Sequence, residues 1–564
     1  MKKALVFDGY VDEPSCFGVP PYISPYVRYA FGLLQSYGFQ VSYITADEWR
    51  KTPHENLWKE AEIVTLITGF TVPGRYRGGK PLLLGELEKL LELPRKGLLF
   101  FGGSITHGYS IQGGRAAKGM KEFATRGNCF AEDPVASLQV YLEEGRIEPS
   151  ARKNYKNLTK WAVEGASLVF QHPFYPQVIA ELELSEGCGR KGKHCSFCTE
   201  WQRTPYRERP VADVLKEIEA LAACGIRNFR LGKCSDILAY GGSETPQGKR
   251  PNPKTLEKLY RGIRKACPEL EVLHTDNCNP LTVARFPEES RKSVEIIASY
   301  NTEGDCLSLG IENLDPLVLS LNNLKITFEE ALEAVRIINE AGGWRERPRG
   351  LPKILPGLNF LLGLPGETGE SYKLNAFFLE TLLREGLSVR RINIRKVIPF
   401  QDSPLPKLLQ TNPPRVKSQK TRKWKEWVRE EVDPVMFQRF APLGTVFRNV
   451  LTEKRSGKCL FGRPLGSYPP LIGIMDENLQ ENLKIDVAIT DYGKRSLTGV
   501  PYPLSLATCS RTNLLALPGI GKARAEQILT KRAAKESSSS LENILDDSLL
   551  AAKLSMYFSK EREE

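Results

Sequence analysis

Short apolar runs rich in β-branched and aromatic residues alternate with longer amphipathic stretches over the first two thirds of the chain. In residues 1–170 the runs are ALVF (4–7), VSYI (41–44), EIVTLIT (62–68) and LLFF (98–101), separated by helical patterns that include 25–37 and 82–92. Such alternation predicts a mainly parallel sheet covered by helices, a Rossmann-like domain. It resumes over 171–408, first in IAELELSEG, then in NFRLG (228–232), LEVLHTD (270–276), CLSLGIE (306–312), LNFLLG (358–363) and RINIRKVI (391–398), with helical patterns such as 211–223 and 328–341 between. Six strand–helix units predict an open, partial (β/α)6 barrel whose chemistry sits at the carboxyl ends of the strands.

Three further segments follow. Residues 409–440 read as a basic linker and helix carrying Trp424 and Trp427. Residues 441–505 read as a small OB-like β-barrel built from LGTVFRNVL, CLFGRPLG, IDVAITDYG and SLTGV, short runs divided by Gly turns. Residues 506–564 are helical again and end in a charged tail. There is no internal repeat, and the only low-complexity run is SSSS at 537–540.

Over 564 residues, 41% hydrophobic and 26% charged is ordinary globular composition and excludes wholesale disorder. No apolar run approaches the ~18 residues of a membrane span. The start, MKKALVFDGY, shows no hydrophobic signal core, so the sequence predicts a soluble cytoplasmic protein with no membrane partner. The net charge of +12 is uneven: 411–470 hold 13 Lys/Arg against 5 Asp/Glu, 511–535 hold 6 against 1, and the rest nets −1. Two basic patches near the carboxyl end point to a polyanion partner, with a plain solvated surface as the alternative.

Cysteine placement changes the picture most. Of the twelve cysteines, nine are scattered, whereas Cys188, Cys195 and Cys198 fall in the Gly/Lys-rich stretch GCGRKGKHCSFC behind the first barrel strand. Three thiolates can each ligate one iron of a 4Fe–4S cubane and leave the fourth iron open. A structural zinc site is the competing reading and would need His194 as a fourth ligand.

The stretch resembles the cluster loop of the radical S-adenosylmethionine superfamily, with a first gap of six residues instead of three. The resemblance implies that the open iron chelates S-adenosylmethionine, and that reductive cleavage gives a 5′-deoxyadenosyl radical. It also implies a low-potential electron donor such as ferredoxin or flavodoxin, and an aromatic near the adenine at Phe197. LGKCSDILAYGG (231–242), LGIENLDPLVLSLNN (309–323), FLLGLPGETGESY (361–372) and INIRKVIPFQDSPL (392–405) resemble, in order, the strand motifs of radical methylthiotransferases that modify transfer RNA. By that likeness Gly232, Glu312, Gly363 and Pro365 contact the methionine and adenosine parts of the cofactor.

LGTVFRNVLTEKRSGKCLFGRPLGSYPPLIGI resembles the RNA-binding TRAM barrel of the same enzymes, with Lys454, Arg455, Lys458, Arg463 and Tyr468 as candidates for phosphate contact and base stacking. LLALPGIGKARAEQILTKR (514–532) resembles a helix–hairpin–helix, in which the Gly519 and Gly521 amides with Lys522 and Arg524 would hold a phosphate; that module meets DNA more often than RNA.

Methylthiotransferases carry a second cluster on three amino-terminal cysteines, but residues 1–170 hold only Cys16 and Cys129. The Asp-x-His-x-x-Gly signature of cobalamin domains is also absent, so cobalamin or a second cluster stays open without support. The polar, proline-rich loop after the first strand is expected to face the barrel mouth with Cys16 near the chemistry; Cys234 and Cys278 are lesser candidates. The sequence therefore predicts a radical enzyme acting on a carbon of a nucleic acid, transfer RNA first and DNA second. The runners-up are a cobalamin-linked radical methylase of RNA or protein and a zinc-stabilised nucleic-acid-binding protein without catalysis.

Overall fold

A computed structural model describes residues 2–13, 15–69, 79–190, 192, 194–533, 541–545 and 547–558, without the side chains of Arg203 and Asn543. The serine run at 537–540 and the charged tail from 559 lie outside the described residues.

Five parallel strands form the first sheet, in the spatial order Gln40–Thr45, Lys3–Asp8, Ile63–Ile67, Leu98–Gly102, Cys129–Ala131. Four of them match the apolar runs. The fifth, three residues long, is too short to stand out as a run. Strands buried on both faces lose the polar alternation and read as continuous apolar segments, as IVTLI does. In this doubly wound order, loops leaving the carboxyl ends are the ones that face ligands.

Helix Pro25–Ser36 begins on a proline, which suits a first helical turn, and buries Val27, Ala30, Phe31, Leu33 and Leu34. It crosses helix Tyr155–Glu164 at Gly32, where an added Cβ would stand 2.0 Å from the Trp161 carbonyl oxygen. Arg28 of the same helix is fully buried and donates to Glu217, on helix Val211–Ala223, and to the Glu181 carbonyl. One apolar core thereby runs from the first sheet into the next unit.

That unit holds six parallel runs in chain order: Ile179–Glu183, Asn228–Lys233, Val272–His274 continued by Asn277–Cys278, Asp305–Glu312, Ile354–Leu362 and Arg391–Lys396. The expected run 270–276 is broken at its end because side chains take over from the ladder. Thr275 donates through its amide (2.9 Å) and hydroxyl (2.5 Å) to Asp305, and Asp276 accepts from Arg230. Tyr22–Ile23, from the loop after the first strand of the chain, pairs with Ile179–Ala180 and extends the array by one short strand.

Toward the carboxyl end, helix Ser418–Trp427 is fixed by Trp424, whose ring meets Phe360 and Tyr372 at 5.7 Å each. Five strands then close a small barrel in the order Val446–Ser456, Cys459–Pro464, Leu471–Met475, Ser496–Pro501, Lys484–Tyr492. Helices Arg511–Leu515 and Lys522–Ala533 follow, and Asn513 donates to the Met475 carbonyl (2.7 Å) to hold the pair on the barrel. Among the described residues, no helix is long and apolar enough to cross a membrane.

Candidate functional site

The carboxyl ends of the six parallel runs open on a cavity of about 520 Å³. Cys188, Cys195 and Cys198 all line it, together with Phe197 and Glu312. The cysteine loop is anchored to the turn at 322–323: Ser196 donates from its amide (3.1 Å) and hydroxyl (2.7 Å) to Asn322, and Arg190, which also lines the cavity, donates to the Asn323 carbonyl. Arg190 also donates to Cys195 Sγ at 2.8 Å. Burial pushes the Cys195 thiol up to about 11 and raises Cys188 and Cys198 as well. Without a metal these groups hold their protons; ligation would release them.

His194, the ligand a zinc site would need, is outside the cavity wall and stacks on Trp201 with ring centroids 4.9 Å apart. Among the described residues no three His, Cys, Asp or Glu side chains stand close enough to hold a single metal ion. Three thiols on one cavity wall suit a polynuclear centre held at three corners, with the fourth facing the cavity.

Glu312 ends its strand at φ +61°, just past an irregularity in the ladder. A side chain at Gly310 would meet its carboxylate at 2.9 Å, so glycine keeps that space clear. Burial drives Glu312 up to about 8, with Arg395 pulling it down. Gly232, Gly363 and Pro365 are not part of the cavity wall. The space over Gly232 is filled by the buried Arg230–Glu181 pair, Gly363 (φ +83°) donates its amide to Glu367, and Pro365 accepts from Asn322 at 3.1 Å, one step from the cysteine loop.

The loop after the first strand reaches the same cavity: Asp12, Glu13, Ser15 and Phe17 line it, whereas Cys16 is buried behind them. Lys233, buried at the end of the second run, bridges Glu200 (2.7 Å), just past Cys198, to Glu13 (3.6 Å) of this loop. Cys278 lines the cavity and Cys234 does not. A fully buried charged layer lies below. Arg230 bonds both Glu181 oxygens at 2.7 Å and Asp276, and its guanidinium lies 4.0 Å from the centre of the Phe17 ring.

The carboxyl-terminal candidates do not form one surface. Tyr468 is turned into the cavity, where its hydroxyl donates to Asp276 at 2.8 Å and Arg391 covers its ring at 3.6 Å. Its neighbours explain the turn: Tyr22 donates to the Gly466 carbonyl (2.7 Å) and Ser467 accepts from Arg230 (3.2 Å), so the 465–468 loop packs against the parallel array. Arg463 is paired with Glu453, and Arg455 spends its guanidinium on the Asp476 and Leu479 carbonyls. Lys454 and Lys458 are exposed. In the helix pair, Arg524 caps the Gly519 carbonyl at 2.8 Å, and Gly521 and Lys522 are exposed.

Sequence reasoning missed Arg391, Asn393 and Arg395, all on the cavity wall. The signal was present in RINIRK, whose polar residues alternate with Ile392 and Ile394 and so share one face of a strand.

A model of the Radical SAM superfamily matches residues 182–378, the stretch that begins just before the cysteine loop. An uncharacterized protein of Methanocaldococcus jannaschii is 40% identical over 88% of this chain and 93% of its own length. One of Archaeoglobus fulgidus is 37% identical over 92% and 93%. The ribosomal protein uS12 methylthiotransferase of Thermus thermophilus is 24% identical over 58% of this chain and 70% of its own. Among solved structures, the cobalamin-dependent S-adenosylmethionine radical enzyme OxsB aligns with a TM-score of 0.47 at 13% identity, over 76% of this chain and 61% of that one, less than two thirds of its length. With three thiols on one wall, and a family model spanning their loop and the strands behind it, the chain belongs to the radical S-adenosylmethionine superfamily, whose members work with a 4Fe–4S cluster and S-adenosylmethionine.

Proposed function

We propose that this enzyme functionalises a carbon of a nucleic-acid substrate, transfer RNA first, by a methylthiolation-like or related modification in the cytoplasm. The observation that carries the reading is the sharing of one cavity by Cys188, Cys195, Cys198, Phe197 and Glu312. The three cysteines hold the cluster. When bound, the reduced cluster supplies the electron that breaks a carbon–sulfur bond of S-adenosylmethionine and yields the 5′-deoxyadenosyl radical. Phe197 offers a face for the adenine. Glu312, protonated at neutral pH, donates a hydrogen bond into the cavity and, once ionised, accepts one or pairs with an amine. Lys233 and Glu200 brace the cysteine loop against Glu13.

The proposed division of labour uses the boundaries expected from the sequence. Residues 1–170 close the cavity through Asp12, Glu13, Ser15 and Phe17, 171–408 carry the chemistry, 409–440 connect, 441–505 act as a TRAM-like barrel, and 506–564 act as a helix–hairpin–helix. A cobalamin-linked methylase is the second reading, favoured by the doubly wound amino-terminal sheet that sends a loop into the cavity.

Anaerobic reconstitution should give a brown protein absorbing near ~400 nm, which releases 5′-deoxyadenosine with dithionite. Modified nucleosides of cells with and without the gene should then differ at one nucleoside. A colourless zinc-loaded protein would end the radical reading, identical nucleoside profiles would end the nucleic-acid one, and a cobalamin spectrum in the purified protein would promote the second reading.

A further inference from the structure

Positive charge at the cavity continues onto the surface by a route that avoids the small barrel. Arg391, Arg395 and Lys396 line the cavity on the last parallel strand. Beside that strand runs helix Ser418–Trp427, whose following turn is tied to it where Arg429 donates to the Ile392 carbonyl at 3.1 Å. From 415 to 429 this segment carries Arg415, Lys417, Lys420, Arg422, Lys423, Lys425 and Arg429 against the single acid Glu426. Arg422 stands 3.6 Å from Glu426, and Arg429 is paired with Asp433 at 2.5 Å. Arg415, Lys417, Lys420, Lys423 and Lys425 have no carboxylate within 4.0 Å among the described residues, and the first four are exposed. Lys425, half-buried, is pushed below the ordinary lysine range by burial and by the charges of Lys396 and Arg429. Like charges crowded together without acids weaken the folded state and favour a bound polyanion that neutralises them.

We infer that this helix face is the docking track for a phosphodiester strand, which runs along Lys417, Lys420 and Lys423 and enters the cavity past Lys396 and Arg395. The inference rests on the nucleic-acid reading above and gives it a surface. Charge and shape select the occupant. Lys417 to Lys425 spans about 12 Å of helix, long enough to meet successive phosphates of one strand. The track ends inside a cavity that admits a chain but not a folded acidic protein. The small barrel offers less, since Arg463 and Arg455 are already engaged and Tyr468 faces inward.

The test measures binding of a fluorescein-labelled oligouridine to the full-length holoenzyme by anisotropy over a salt series. The triple variant Lys417→Gln, Lys420→Gln, Lys423→Gln should lose three phosphate contacts. The slope of log K against log salt then becomes shallower by about 2, and binding at ~0.1 M salt weakens about a hundred-fold. The Lys417→Arg, Lys420→Arg, Lys423→Arg variant should bind as wild type does. On unaltered protein, the oligouridine should protect these three lysines from acylation, read by mass spectrometry, whatever the folding of the variants.

An unchanged slope or unprotected lysines overturns the track. So does a variant that binds RNA normally but accepts electrons slowly from flavodoxin while remaining normal with dithionite, because the face then docks the acidic donor. Release of 5′-deoxyadenosine by wild type is measured separately. If it occurs and the track fails, only the surface is wrong; if wild type releases none, the radical reading itself falls.

Discussion

Replacing Glu312 with Gln removes a carboxyl that the fold makes hard to ionise. Burial at the cavity end of its strand carries the group to about 8 from an ordinary 4.5, despite Arg395. An unfolded chain would ionise it near 4.5, so the folded protein retains a proton that the unfolded one gives up. The contribution is complete below about 4.5 and is lost as pH rises through about 8. Over a span of roughly 3.5 pH units at about 1.4 kcal/mol each, the upper bound is ~5 kcal/mol. The side chain is only partly buried and faces a water-accessible cavity, so screening should reduce the observed effect to ~1–3 kcal/mol.

Glutamine keeps the shape and never ionises. Thermal unfolding of Glu312→Gln and wild type, followed by circular dichroism without S-adenosylmethionine, should nearly coincide at about pH 5. The variant should gain several degrees on wild type by about pH 9. Arg395→Ala, which removes the opposing charge, should move the pH at which wild-type Glu312 ionises further up. A Tm difference that is independent of pH, or one that favours the variant in acid, would refute the burial argument.

Cys195→Ala should abolish both the absorption near ~400 nm and 5′-deoxyadenosine release, because two thiolates cannot hold three corners of a cubane; retained release would remove Cys195 from the ligand set. Arg230→Met should leave Glu181 and Asp276 buried without their shared cation and destabilise the protein by ~3–5 kcal/mol, seen as a lower urea midpoint. Gly32→Ala should prevent tight crossing of helices Pro25–Ser36 and Tyr155–Glu164, since the added carbon meets a carbonyl at 2.0 Å; normal soluble yield with an unchanged melting curve would contradict the packing. Lys233→Met should loosen the cysteine loop by breaking the Glu200–Glu13 bridge, read as faster loss of reconstituted iron to a chelator, with Lys233→Arg restoring retention.

Much of the architecture was legible because burial writes itself into local pattern. LLFF and IVTLI announce strands covered on both faces. The helical patterns at 25–37 and 328–341 fall on helices Pro25–Ser36 and Phe328–Gly342. The cysteine loop was legible because its ligands are neighbours in sequence, and the match to residues 182–378 covers that loop and three of the four motifs that followed it, leaving 392–405 outside. What the linear chain left undecided depends on contacts between residues hundreds of positions apart. Tyr468 carries an aromatic, polar side chain on a basic barrel loop and reads as a surface stacking group, yet 192 positions separate it from the Asp276 that draws it inward. Gly232 reads as a cofactor contact, but the space above it belongs to Arg230 and Glu181.

By itself, the sequence determined the succession of elements and the three-thiol loop, since both arise from interactions spanning a few residues. Only the tertiary structure decided which individual side chains share the cavity: Asp12, Glu13, Ser15 and Phe17 of the loop expected at its mouth, with Cys16 behind them, Arg391, Asn393 and Arg395 of the last strand, and Tyr468 from the small barrel. The physical reason is that a cavity wall is a packing result. It is chosen by which buried charges find partners and which loops cover which strand ends, and apart from the alternation in RINIRK these leave no periodic trace along the chain.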